Sequence, residues 1–202
     1  MFSREEGFSA LDLSRGQVTR MLESGMLVRA HRGVYRVASS PESWESVLRS
    51  AVVGISGLVS HGAAARLWQI DGFRNAAPEI SVWESKRVER SGIKMHLSRQ
   101  MHLADARVIN GLPVTGPART VLDLFAVLWP ERRLQVLDAV LRDEILDLED
   151  LYDVIVQHSV QGRNGVGVLR RTLDEQYDPA TIPDSRWNRM VGQLLELSLI
   201  HI

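Results

Sequence analysis

SRGQVTRMLESGMLVRAHRGVYRV, residues Ser14 to Val37, reads as a short helix followed by a tight, basic two-stranded hairpin. Ser14 and Gln17 form a capping-box pattern, in which each side chain satisfies a backbone N–H at the helix start. Val18, Met21 and Leu22 follow at i, i+3 and i+4 and give the helix one apolar face. Gly16, Thr19, Arg20 and Glu23 lie roughly opposite, with Gln17 and Ser24 alongside. Gly25 ends the helix where the chain must turn into positive φ. Two β-prone runs come next, Leu27–Ala30 and Val34–Val37, joined by His31-Arg32-Gly33 and carrying Arg29, His31, Arg32 and Arg36. A polar helix beside an arginine-bearing hairpin has the form of a winged helix-turn-helix, whose helix enters the major groove while the wing holds phosphates. The plainer alternative is a helix and hairpin packed on the rest of the protein.

Upstream, Ser3 and Glu6 repeat the capping-box pattern and predict a short helix toward Ala10, with Leu11-Asp12-Leu13 as the turn into the Ser14 helix. A complete helix-turn-helix has one further helix in front, and this chain starts at Met1 without it. The expectation is a late start codon or an abbreviated module. Downstream, Ala38–Pro41 reads as a joint, and Ser40 before Pro41 fits an N-cap with proline in the first turn. The helix after it runs through Trp44, Val47, Leu48 and Ala51. Leu58-Val59 is short and apolar, and Ser60 caps a helix HGAAARLWQI that stops at Asp71-Gly72, with Trp68 expected in the core.

A β region follows. Glu79–Trp83 has strand composition, and Gly92–Ser98 alternates, with Ile93, Met95 and Leu97 on one face and Lys94, His96 and Ser98 on the other. Lys86–Arg90 is the turn expected to join them. Asn110-Gly111 between Val108-Ile109 and Leu112-Pro113-Val114 is a strong hairpin signal. The remainder is helical. Thr115 is placed to cap a helix with Ala118, Val121, Leu122, Phe125 and Leu128 in its stripe. Pro130 opens a second, with Leu134, Leu137 and Leu141 inward, and Asp147 with Asp150 caps a third. Gly162–Gly167 reads as a turn into a helix from about Val166 to Gln176, and Tyr177–Asp184 as a linker.

The chain has 202 residues, 45% hydrophobic and 24% charged, the composition of an ordinary folded protein. Net charge is −1, so binding to nucleic acid has to come from local patches. Residues 1–36 carry six arginines against four acids, and residues 84–107 carry six Lys and Arg against Glu84, Glu89 and Asp105. Residues 131–153 reverse this, with eight acids against Arg132, Arg133 and Arg142. With no cysteine, disulfides, thiolate metal sites and cysteine nucleophiles are excluded. No apolar run has the length of a membrane span and no signal peptide precedes Ser3, so the expected location is the cytoplasm.

No constellation commits to catalysis. Gly162-Arg163-Asn164-Gly165-Val166-Gly167 has the glycines of a phosphate loop but lacks its Lys-Ser/Thr ending and follows a helix rather than a strand. Among the histidines at 31, 61, 96, 102, 158 and 201, only His96 and His102 are close in sequence, and no carboxylate stands at metal-site spacing from them. Asp143, Glu144 and Asp147 crowd together as helix surfaces often do, and no serine lies in a nucleophile elbow. The sequence therefore predicts no catalytic residue, no cofactor and no metal ligand.

Four stretches in order, LSRGQVTRMLESG, VRAHRGVYRV, LVSHGAAARLWQIDG and INGLPVTGPARTVLDLFAVL, resemble actinobacterial proteins with an AbiEi-type antitoxin domain. The resemblance runs from about Phe2 to Asp184. It implies an α+β chain, with an N-terminal winged helix-turn-helix and then a mixed α/β domain rich in helices. AbiEi antitoxins of type IV systems are transcriptional autoregulators that counter a nucleotidyltransferase toxin. Solitary actinobacterial relatives often continue into a restriction-endonuclease-like domain similar to very-short-patch repair nucleases. Ser185-Arg186-Trp187-Asn188 sits where that domain's first helix begins in relatives, often with glutamate at the position of Asn188. Leu197-Ser198-Leu199-Ile200-His201-Ile202 reads as a translated transposase-adapter sequence, so a truncated gene is expected.

The resulting division is 1–38 for the DNA-binding module, 41–177 for the AbiEi-like domain, 178–196 for a linker and the start of a truncated nuclease-like domain, and 197–202 for the adapter. The leading expectation is a non-enzymatic regulator that binds double-stranded DNA, with a nucleotidyltransferase toxin as protein partner. Gln17, Thr19 and Arg20 would face bases, Arg29, His31, Arg32 and Arg36 the backbone, and Arg15 the DNA beside them. Two alternatives stand beside it. One is the targeting part of a DNA endonuclease, and the other is an interaction module whose acidic helices after Pro130 hold a basic partner.

Overall fold

Helix α1 (Arg15–Glu23) forms where the capping box predicts it, with Ser14 Oγ accepting from Gln17 N–H at 3.3 Å and Gln17 Oε1 from Ser14 N–H at 2.7 Å. The computed structural model describes residues 2–3, 13–83, 89–98, 101–159 and 165–177, a mixed α+β chain with two sheets. The helix expected after Ser3 falls on residues 4–12, and the linker, nuclease-like start and adapter on residues 178–202; both lie outside the described residues.

The first sheet has the order β1-β3-β2, built from β1 (Phe2–Ser3), β2 (Leu27–His31) and β3 (Val34–Val37). β2 and β3 are antiparallel, with Leu27 opposite Val37, Arg29 opposite Tyr35, and a bulge between Arg29 and His31. His31 therefore belongs to the strand, and the turn is Arg32-Gly33, closed by Gly33 at φ +77°. β1 had no sequence signal, because two residues are too few for a period to show. Val18 on α1 packs with Leu27 and Tyr35, and Leu13, Met21 and Leu22 close around them.

The next helix, α2 (Trp44–Val52), is capped by Ser43 rather than Ser40. Ser43 and Ser46 make a reciprocal box, at 3.1 Å and 2.9 Å, while Ser40 N–H bonds back to the Val37 carbonyl as part of the turn leaving β3. The second sheet has the order β6-β5-β4-β8-β7, from β4 (Gly57–Val59), β5 (Glu79–Val82), β6 (Lys94–Leu97), β7 (Ala106–Ile109) and β8 (Leu112–Thr115). Between β4 and β5 runs α3 (His61–Leu67), which ends before the predicted Asp71-Gly72 stop, with Gln69 already at φ +60°. Trp68, expected in the core, is half-buried and donates Nε1–H to the Thr115 carbonyl at 2.8 Å.

β6 runs parallel to β5, with Ile80 opposite Met95; of the turn expected over Lys86–Arg90, residues 86–88 lie outside the described residues. A parallel neighbour requires the chain to travel back the length of the strand first. Leu97, on the apolar face of the alternation, is 60% exposed on β6, the edge strand of the sheet. The Asn110-Gly111 turn forms as predicted, with both residues at positive φ (+50° and +74°), the requirement of a two-residue hairpin.

By packing, the chain divides into two compact units, Met1–Ala63 with Ala76–Val114 and Ala64–Asn75 with Thr115–Ile202. Helix α1 and the β2–β3 hairpin fall in the first unit with β4–β7. In the second unit, α4 (Pro117–Val127) is the central helix, burying Val121, Leu122, Leu124 and Phe125 against α5 (Pro130–Arg142), α6 (Leu148–Gln157) and α7 (Val166–Gln176). Its N-cap is Gly116, with Pro117 at N1, and Thr115 instead pairs its hydroxyl with that of Thr120 at 2.8 Å. The inward face of α5 is Val136, Leu137, Ala139 and Val140, and Leu134 is 37% exposed. Asp147 and Asp150 cap α6 as expected, through a reciprocal box.

Gly165 caps α7 at φ +101°, and a Cβ there would lie 2.7 Å from the Leu122 carbonyl oxygen. Of the glycine-rich stretch at 162–167, residues 162–164 lie outside the described residues, and Gly165 serves helix packing. Gly165→Ala is expected to cost about 2–4 kcal/mol from strain and overpacking together. Gly167, with open space at its Cβ, should tolerate alanine with no loss and a gain of up to about 1 kcal/mol. Denaturant midpoints of the two variants check this; equal midpoints would contradict the packing role of Gly165.

Candidate functional site

Residues 13–38 contain five arginines (15, 20, 29, 32 and 36) and one acid, Glu23. Because Val18, Met21 and Leu22 turn toward the hairpin, Arg15, Gln17, Thr19 and Arg20 are left exposed on α1. They are not equivalent. Gln17 Oε1 is committed to the cap, so presenting both ends of its amide to a base would break the Ser14 contact at 2.7 Å. Thr19 Oγ1 donates to the Arg15 carbonyl at 3.0 Å and Arg20 Nε to the Gly16 carbonyl at 3.3 Å. The Arg20 contact uses Nε alone and leaves the two terminal nitrogens of the guanidinium outward.

On the hairpin, Arg29 and Arg32 are exposed, whereas Arg36 and His31 are engaged. Arg36 donates to the Ser40 carbonyl at 2.6 Å and pairs with Glu42 at 3.7 Å, its side chain 17% exposed. The His31 ring sits 3.0 Å from Ser50 Oγ on α2. Arg90 reaches the Arg32 carbonyl at 3.4 Å and the Val53 carbonyl at 3.2 Å. The hairpin tip is thus tied to the end of α2, which fixes where Arg32 is presented. Burial, and then the Arg90 charge, hold the His31 pKa below its ordinary 6.5.

Elsewhere in this unit three residues far apart in sequence converge. His61 is 6% exposed and starts α3 at φ +51°, in the left-handed region. Its ring stacks on His96 from β6, centroids 3.5 Å apart and planes 12° off parallel. Glu79, the first residue of β5, accepts from His96 Nε2 at 2.8 Å and has Lys94 Nζ at 3.5 Å. His61 Nδ1 lies 2.9 Å from Ser60 Oγ, which Ser81 Oγ in turn reaches at 2.8 Å. Burial alone would raise the Glu79 pKa, but the His96 hydrogen bond and the Lys94, His61 and His96 charges outweigh it, and the carboxyl sits below its ordinary value. Among the described residues, His61, Glu79 and His96 are the group whose donor atoms all lie within 4.8 Å of one another. Sequence spacing brought only His96 and His102 near each other, with no carboxylate at metal-site spacing. The residues that converge come from separate elements and leave no local motif.

The chain matches no family model and no curated protein. Among solved structures it is similar to the RV2827C protein from Mycobacterium tuberculosis, with 16% identity and a TM-score of 0.57 over 95% of this chain and 75% of that one. The likeness is one of fold. No helix among the described residues is long and apolar enough to cross a membrane.

The state of His31 is open to direct test. Its folded pKa lies below the unfolded value, so stability is complete above about pH 6.5. As pH falls below that value the unfolded chain takes up a proton that the folded ring refuses, and stability declines until the folded pKa is passed. An NMR titration of the His31 ring should inflect below 6.5. The slope of stability against pH in this window should be shallower in His31→Gln. An inflection at or above 6.5 would contradict the Ser50–Arg90 environment.

Proposed function

We propose that this chain is a DNA-binding transcriptional regulator of antitoxin type that meets double-stranded DNA through α1 and the β2–β3 hairpin. The observation that carries this reading is the sidedness of α1. Its apolar face is spent on Leu27 and Tyr35, and its outer face keeps Arg15, Thr19 and Arg20 exposed beside a hairpin with Arg29 and Arg32 exposed. The strand order β1-β3-β2, with α1 between β1 and β2 in sequence, supports the winged-helix form of the module. The resemblance to AbiEi antitoxins supports the biological half: autoregulation of its own operon and a nucleotidyltransferase toxin as protein partner.

The contacts within the module narrow the roles assigned from sequence. Arg20 is the base reader, since its terminal nitrogens can span the O6 and N7 of guanine. Thr19 and Arg15 lie beside it. Arg29 and Arg32 neutralise phosphates. Gln17 holds the helix start, while His31 and Arg36 hold the hairpin, because each already has a partner in the fold.

Fluorescence anisotropy on duplex DNA across a salt series tests this. Affinity should fall linearly in log–log form, and Arg29→Ala and Arg32→Ala should each reduce the slope by about 0.9, one phosphate's worth of released counterions. Arg36→Ala should leave the slope unchanged. In selected-site binding, Arg20→Ala should lose preference at one base position worth roughly 1–3 kcal/mol while keeping most nonspecific affinity. Circular dichroism establishes that each variant is folded. Binding with no salt dependence, or a wild-type slope in both Arg29→Ala and Arg32→Ala, would remove the hairpin from the interface.

A further inference from the structure

The convergence of His61, Glu79 and His96 is a set of donors without a role in the DNA-binding reading. We propose that these three residues form a binding site for one divalent transition-metal ion of the zinc class, with Ser60 and Ser81 orienting the His61 ring from behind. The inference does not rest on the DNA-binding reading.

Two imidazoles and one carboxylate are a zinc donor set that leaves a fourth position for water. Magnesium and calcium instead require a shell of mostly oxygen ligands, which this cluster cannot supply. Tetrahedral zinc with bonds of about 2.0–2.1 Å places its donors about 3.3 Å apart. Here all three donor atoms lie within 4.8 Å of one another, and the His96–Glu79 pair is at 2.8 Å. That short contact holds a proton where the ion would sit, and binding exchanges one for the other.

The supporting contacts have the form expected around a ligating histidine. His61 Nδ1 is engaged with Ser60 Oγ at 2.9 Å, which assigns ligation to Nε2, and Ser81 fixes Ser60 at 2.8 Å. A hydrogen bond on the non-ligating nitrogen is what sets the tautomer and ring angle in such sites. The donors also stand on ordered elements. Glu79 and His96 belong to paired strands, and Ser60 N–H bonds to the Glu79 carbonyl at 3.1 Å, which ties the His61 backbone to β5. Two features must change on binding. The stacked rings must splay, because lone pairs of parallel rings do not meet at one point. Lys94, whose side chain is 59% exposed, must swing away from Glu79.

The test uses the whole chain, stripped with a chelator and titrated with Co²⁺ and then Zn²⁺. The expected result is one Co²⁺ per chain with the visible absorption of a four-coordinate ion, displaced by Zn²⁺, at a Kd of about 10 µM or tighter. Glu79→Gln and His96→Gln should each weaken binding by about tenfold or more, and His102→Gln should leave it unchanged. His96 is the safer variant, being less buried than His61, and circular dichroism confirms its fold. In the wild type, the ring signals of His61 and His96 should be the ones Zn²⁺ moves. No stoichiometric binding at micromolar metal would overturn the proposal. So would binding that survives both ligand substitutions, which would mark an adventitious surface ion.

Discussion

The packing of Val18 against Leu27 and Tyr35 is the contact that gives the N-terminal module its two sides. Each fully buried side chain of this size is worth roughly 1.5–3 kcal/mol, and a cluster this small has few of them. Met21 and Leu22 close over it from the same helix. Once these residues point inward, the 3.6-residue period leaves no choice about Thr19 and Arg20, which must point out. The same cluster sets the hairpin under α1, and the bulge before His31 then brings that ring to Ser50. Local helix periodicity, the sheet's register and the placement of exposed arginines are thus one packing decision.

Elements with short-range chemistry were legible in the sequence. The boxes at Ser14/Gln17 and Asp147/Asp150, the Asn110-Gly111 turn and the start of α7 near Val166 all depend on residues within a few positions of one another. Where two local signals competed, sequence reasoning chose wrongly. Ser40-Pro41 was a plausible start, but Ser43 had a reciprocal partner in Ser46 and Ser40 did not. Thr115 lost the cap to Gly116 in the same way, because Pro117 takes the first helical position and puts the cap one residue before itself. Leu134, 37% exposed, reads as inward because periodicity carries no information on whether a helix face has a neighbour.

The candidate sites were legible to different degrees. The outward set on α1 followed from period and the use of Gln17 from the capping-box pattern, but neither could say that Arg36 is held by Ser40 and Glu42. The His61–Glu79–His96 cluster was not legible at all. It depends on the parallel pairing of β5 and β6, which sets His96 beside Ser81 and within reach of Glu79. Parallel pairing is a non-local choice with no turn signature, so the sequence shows three unremarkable residues.

A titration of isotope-labelled protein with duplex DNA, followed by amide NMR, bears most directly on where this chain meets its partner. Perturbations confined to Ser14–Val37 and largest at Thr19, Arg20, Arg29 and Arg32 are the predicted result. Shifts concentrated on α5 and α6, with α1 and the hairpin silent, would contradict it.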